Sequence, residues 1–210
     1  MSDDKFIQQY GQKDIEIVSD EVVFKGFYTM KRVKFRHKLF SGEMSGIVTR
    51  ELLAKNEATA VVLYDPQMDN VVLVEQVRIG AIDPKSPSSP WLLELVAGMI
   101  ETGEQPAGVA VRESEEEAGV HLTEVMPIMQ FWDSPGGMAE RIHLFAGKVD
   151  STKVGGIHGL AEENEDICVH VVSRATAYQW LEQGRIDNGV AVIGLQWLQL
   201  NYKKLQQKWC

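Results

Sequence analysis

Cysteine is nearly absent from this chain of 210 residues: Cys168 and Cys210 are the two present, and neither sits in a CxxC pair or any other metal-ligand spacing. That argues against a disulfide framework and fits a reduced, cytoplasmic protein. Long apolar runs are missing as well. No stretch approaches the roughly 18–20 apolar residues of a membrane-spanning helix, so no membrane partner is expected. The opening stretch, MSDDKFIQQYGQKD, has no basic region followed by an apolar run, so no signal peptide is expected there. Basic residues fall short of acidic ones, 21 Lys and Arg against 30 Asp and Glu, for a formal net charge of −9. Nonspecific nucleic-acid binding depends on basic surface, so nucleic acid is not expected as a partner. An anionic small molecule remains possible, provided that metal ions or placed arginines offset the repulsion.

The remaining composition is globular: 44% hydrophobic and 24% charged residues, enough for a sizeable core. The length suits one domain, or one with a small accessory domain. Residues 1–53 read as short strands with turn signals such as Ser41-Gly42. They form a small β-rich subdomain that buries too little to stand alone, so it is expected to pack on the main domain or on a partner chain. Residues 54–210 form the second domain. ATAVVLY and NVVLVEQVRI are strands joined by a turn around DPQMDN; WLLELVAG, PIMQFW, RIHLFAGKV and ICVHVVS are further strands. Helices are expected over about 105–118, with Pro106 in the first turn and Gly119 as the stop, and over about 175–183, with Ser173 as N-cap. A third is expected from Asn188 toward Lys208. Interspersed helices and strands, with hairpin spacing early on, give an α/β (α+β) class: a mixed sheet between helices.

One segment resists an explanation from local stability. In GMIETGEQPAGVAVRESEEEAGV, residues 98–120, four glutamates occupy five positions. Glu113, Glu116 and Glu117 share one helical face, where like charges repel, and they sit near the negative end of the helix dipole. A solvated acidic face is one reading. A site for hard cations is the other, since Mg²⁺ or Mn²⁺ takes carboxylate oxygens and shares its remaining positions with water and phosphate.

The flanking residues favour the second reading. Gly98, Glu104, Arg112, Glu113, Glu116, Glu117 and Gly119, followed by Val120, have the spacing G-x5-E-x7-R-E-x-x-E-E-x-G. This resembles the Nudix box, and Ser114 departs from it where an aliphatic residue is usual; a packing effect is expected there. The resemblance implies a Nudix fold and metal-dependent hydrolysis of a nucleoside diphosphate linked to a second moiety. It implies that Glu113 and Glu117 ligate metal, that Glu116 assists, that Arg112 and Glu104 orient the glutamates, and that the carbonyl of Ala97 is a further ligand. Two or three Mg²⁺ per site are implied, with Mn²⁺ as a possible substitute.

Three further features resemble bacterial ADP-ribose pyrophosphatases within that family. Pro135 lies in SPGGMAE, 15 residues beyond Val120; Ser134, Gly136 and Glu140 of that segment join the implied substrate-binding set, although Ser-Pro-Gly-Gly would form a turn in any case. The acidic loop GIHGLAEENEDICVHVV carries Glu163, implied as catalytic base, and Glu165, implied as a metal ligand; Glu162 competes for the role of base. In the N-terminal half, Arg50 and Arg78 are implied to hold the diphosphate and terminal ribose, and Phe27 to stack on adenine, although a lone Phe is more often a core residue. The resemblance also implies a homodimer that exchanges the N-terminal subdomain, with ADP-ribose as substrate. ADP-glucose or GDP-mannose as substrate, and a Nudix module that binds nucleotide without cleaving it, are the alternatives.

Overall fold

The computed structural model describes residues 7–210, apart from the side chain of Glu163. In chain order the strands are β1 (Ile15–Lys25), β2 (Thr29–His37), β3 (Val48–Ala54), β4 (Ala58–Asp65), β5 (Asn70–Val77), β6 (Trp91–Glu94) and β7 (Val96–Met99). Helix α1 (Pro106–Ala118) follows, then β8 (Val125–Trp132), β9 (Met138–Ala139), β10 (Arg141–Lys148), β11 (Gly156–His158) and β12 (Ile167–Ser173), and last α2 (Arg174–Glu182) and α3 (Gly189–Trp209). The described residues form two compact units: 7–55 with 134–140, and 56–133 with 141–210. The segment 134–140 thus clusters with the first unit, whereas the sequence reading places it in the 54–210 domain.

The first unit is a four-stranded sheet in the order β1-β2-β3-β9. β1, β2 and β3 run antiparallel, and the short β9 adds parallel to β3. The chain turns between β2 and β3 at Leu39–Gly42, where the N–H of Gly42 donates to Leu39 O. Among the described residues 7–55 none is buried. Apolar side chains of β1, including Ile17 and Phe24, stay exposed. A single sheet of this size buries little surface by itself.

The second unit is built on an eight-stranded mixed sheet. Its path is β11-β12-β5-β4-β10-β8, with β6 paired to β5 and β7 to β4; β10 runs parallel to β4 and the other pairs are antiparallel. All eight residues of β4 are buried, as expected of a strand covered on both faces. Its side chains alternate: Ala60, Val62 and Tyr64 join a core closed by α2 and α3, whereas Val61 and Leu63 join one closed by α1. A mixed sheet between helices is therefore what forms.

Local chemistry sets the helix ends. Pro106 begins α1, and Gly119 ends it by donating its N–H to Glu115 O. Ser173 caps α2 by accepting from the N–H of Thr176, and Asn188 caps α3 by accepting from that of Ala191. One expectation needs correcting. WLLELVAG is not a single strand but two, β6 on β5 and β7 on β4. The alternation of side chains continues through buried Leu95, so periodicity does not reveal that the backbone changes partner there.

Candidate functional site

Helix α1 lies against β7, and Glu113 and Glu117 of its last two turns are aimed at that strand. Oε2 of Glu117 accepts the N–H of Ala97 at 3.0 Å, and the Gln76 amide of β5 lies 3.5 Å from Oε1. Glu117 is 4% exposed. Burial, followed by the charges of Glu113 and Glu165, pushes its carboxyl up to about 8, against the opposing effects of the Ala97 N–H and Arg78. Glu113 is also pushed above the usual carboxylate range, by burial first; Arg112 counters this, and Glu116 and Glu165 add to it. A methyl group at Gly98 would overlap the Glu113 carboxylate, so the absence of a side chain there is what lets the carboxylate sit against the strand.

Arg112 organises the acidic face. Its Nε and Nη2 donate to the two oxygens of Glu104 at 3.0 and 3.2 Å, and its Nη1 donates to Glu113 at 2.7 Å and to Glu116 at 3.0 Å. Glu104 in turn accepts the N–H of Glu101 at 2.9 Å. These charge-assisted bonds hold Glu104 below the usual carboxylate range and Arg112 firmly charged. Glu115 points away, within 3.7 Å of His121, and is mostly exposed. Ser114 is fully buried and donates to Ala110 O at 2.7 Å. Its hydroxyl is thus satisfied on the packed face, away from the glutamates.

The acidic loop reaches the same region. Gly159, with φ +100, donates its N–H to Glu116 O in α1, and a side chain there would collide with Glu165. Glu165 closes the loop: its N–H donates to Leu160 O, and its Oε2 accepts the Leu160 N–H at 3.3 Å. Glu162 is exposed. The side chain of Glu163, the expected base, lies outside the described residues. Arg78, just beyond β5, donates to Oε2 of Glu94 through Nε at 2.8 Å, and its Nη2 lies 2.7 Å from the same oxygen.

The second unit therefore brings together Arg112, Glu113, Glu116 and Glu117 with Ala97, Gly98 and Glu104, and it sets Glu165 and Arg78 within the electrostatic reach of Glu117. Phe27, Arg50, Ser134, Gly136 and Glu140 belong to the first unit. Phe27 is 81% exposed and packs edge-on against Tyr28, and Arg50 donates to Thr49 O. The carbonyl of Ser134 receives the N–H groups of Gly137 and Met138, and space is open beside Gly136. Glu140 is buried and paired with Lys55. Sequence reasoning missed Gln76 and Glu94. The one available signal was the spacing of Gln76 and Arg78, two residues apart and hence on one face of an extended segment.

The donor set fits divalent cations. Carboxylates crowd against the backbone of β7, two of them held above their usual pKa range by burial and mutual repulsion, and a hard cation would relieve that conflict. Residues 54–189 match the NUDIX domain model, and the chain belongs to that family. It is 63% identical, over 97% of its length and 94% of the relative's, to an ADP-ribose pyrophosphatase of Haemophilus influenzae. Identity to the ADP-ribose pyrophosphatase of Escherichia coli K12 is 50%, over 95% of each chain. A GDP-mannose pyrophosphatase of Enterobacter sp. is 26% identical over 89% of this chain and 96% of its own. The fold also matches a solved structure described as an ADP compounds hydrolase, with a TM-score of 0.66 at 17% identity over 92% of this chain and 98% of that one.

Proposed function

We propose that this protein hydrolyses the diphosphate of ADP-ribose to AMP and ribose 5-phosphate with the help of Mg²⁺. The observation that carries the reaction class is the seating of Glu113 and Glu117 on the Ala97–Gly98 backbone under the control of Arg112. The substrate follows from the two ADP-ribose pyrophosphatases that align over nearly the whole chain.

Glu113, Glu117 and Glu165 would hold the cations, with Glu116 and the Ala97 carbonyl assisting; two or three Mg²⁺ suit this set, and Mn²⁺ has the same ligand preferences. When bound, such ions neutralise diphosphate oxygens and acidify a water. Arg112 keeps Glu113 and Glu116 oriented, so that little reorganisation is needed when the site fills. Glu163 accepts the proton of the attacking water, with Glu162 the competing base on the same loop. The guanidinium forks of Arg78 and Arg50 suit phosphate oxygens, the face of Phe27 suits adenine, and Ser134, Gly136 and Glu140 complete the substrate contacts. Residues 1–53 serve as a dimerisation subdomain exchanged between protomers, and residues 54–210 as the hydrolase domain. The exposed apolar side chains of β1 support a homodimer. No described helix is long and apolar enough to cross a membrane; cytoplasmic residence agrees with the two unpaired cysteines.

The test is product analysis after incubation with ADP-ribose and Mg²⁺, with and without EDTA. AMP and ribose 5-phosphate should form only without the chelator, and Glu113→Gln should slow their release by orders of magnitude without unfolding the protein. Undiminished turnover by that variant would remove the metal assignment. The GDP-mannose pyrophosphatase relative supports a second reading, cleavage of another nucleoside diphosphate sugar. Initial rates on ADP-ribose, ADP-glucose and GDP-mannose decide between the two.

A further inference from the structure

Strand β5 presents different chemistry on its two faces. Gln76 points to the α1 side, toward Glu117, whereas Glu75 points with Leu73 to the side covered by α2 and α3. Across the ladder, Cys168 of β12 is directly opposite Glu75, and His170 is two residues further along the same face. The Nε2 of His170 is 2.6 Å from Oε2 of Glu75. One ligand atom from each of Glu75, Cys168 and His170 lies within 4.8 Å of the other two, and all three residues are half-buried. Cys168 carries a free thiol.

We propose that Glu75, Cys168 and His170 form a second metal site, selective for a borderline transition-metal dication such as Zn²⁺ and separate from the carboxylate site on the opposite face. The donor set is one sulfur, one imidazole nitrogen and one carboxylate oxygen. Thiolate and imidazole favour Zn²⁺ and its neighbours and are poor ligands for Mg²⁺. Tetrahedral ligands about 2.0–2.3 Å from one ion stand roughly 3.3–3.7 Å from each other. The His170–Glu75 hydrogen bond therefore opens slightly, and the thiol, within 4.8 Å of both partners, needs only the small adjustment that side-chain rotation on two paired strands can supply. A fourth position stays open to water, as in sites with three protein ligands. Binding releases the Cys168 thiol proton and uses the neutral imidazole of His170. An ion here ties β12 to β5 two residues after Asp166, where the acidic loop ends. The simpler alternative is a His–Glu hydrogen bond beside an inert thiol.

The two are separated by titrating the chelator-treated full chain with Co²⁺ in excess Mg²⁺. The site predicts a thiolate-to-cobalt charge-transfer band, removed by one equivalent of Zn²⁺ per chain. Glu113→Gln and Cys210→Ser should keep the band, Cys168→Ser and His170→Ala should abolish it, and Glu75→Gln should weaken Co²⁺ binding by loss of one ligand. In excess Mg²⁺, one equivalent of Zn²⁺ should raise the Tm of the wild type and not that of Cys168→Ser. Absence of the band in the wild type, or its persistence in Cys168→Ser, overturns the proposal whether or not the chain hydrolyses ADP-ribose.

Discussion

The carboxylate of Glu117 accepts a hydrogen bond of 3.0 Å from the backbone N–H of Ala97, the residue before the first glycine of the Nudix box. The contact joins the end of α1 to β7, across twenty residues of chain. Glu117 itself is 4% exposed, so its charged form bears a desolvation cost.

Without metal, Glu117 titrates at about 8 in the folded protein, against 4.5 for an ordinary glutamate. Between those values the folded state holds a proton that the unfolded chain has released. Stability from this group is therefore complete below about pH 4.5 and is lost as pH rises through about 8. In EDTA, Tm should fall across that window, with a shallower slope in Glu117→Gln. Mg²⁺ competes with the same proton, so its stabilising effect should grow with pH. A Tm gain from Mg²⁺ that is independent of pH would contradict the burial argument.

Gly98→Ala places a methyl group in the space of the Glu113 carboxylate. The helix is anchored by its own core contacts, so the carboxylate moves and the fold stays. Turnover of ADP-ribose should drop about 100-fold, the scale expected for a misplacement of about 1 Å. Circular dichroism should show an unchanged secondary structure.

Arg112→Lys keeps the positive charge and loses the fork that reaches Glu104, Glu113 and Glu116 together. The Mg²⁺ concentration for half-maximal rate should rise about 10–100-fold, as for other residues that orient metal ligands. Glu115→Gln, on the exposed side of the same helix, should leave it unchanged. Equal effects of the two substitutions would mean that only overall charge matters.

Asp65 is buried at the end of β4 and accepts four hydrogen bonds, from the Ser151 hydroxyl at 2.7 Å and from the N–H groups of Ser151, Gln67 and Met68 at 2.8, 3.0 and 3.1 Å. Asp65→Asn turns one acceptor into a donor facing other donors. Urea denaturation should show a loss of about 2 kcal/mol. Turnover per folded molecule should stay at the wild-type value, since Asp65 is not part of the glutamate site.

Much of the candidate site was legible in the sequence because it is local. Helical periodicity alone puts Glu113, Glu116 and Glu117 on one face and sends Glu115 elsewhere, and Pro106 and Gly119 mark the ends of the helix. The Arg112–Glu116 contact was legible for the same reason, as an i,i+4 pair. The N-caps of α2 and α3 could likewise be read from Ser173 and Asn188. The break of WLLELVAG into β6 and β7 could not, because both strands keep one alternating pattern and differ only in their partner.

By itself the sequence determined which residues share a helix or strand face and that the acidic face of α1 is too crowded to be explained by local stability. Tertiary structure decided what those faces meet: Ala97 and Gln76 beside Glu117, Glu94 on Arg78, and His170 against Glu75 across 95 residues of chain. The reason is physical. Periodicity follows from bonds between near neighbours, whereas strand pairing and the burial that pushes Glu117 up to about 8 depend on segments brought together only when the whole sheet closes its core.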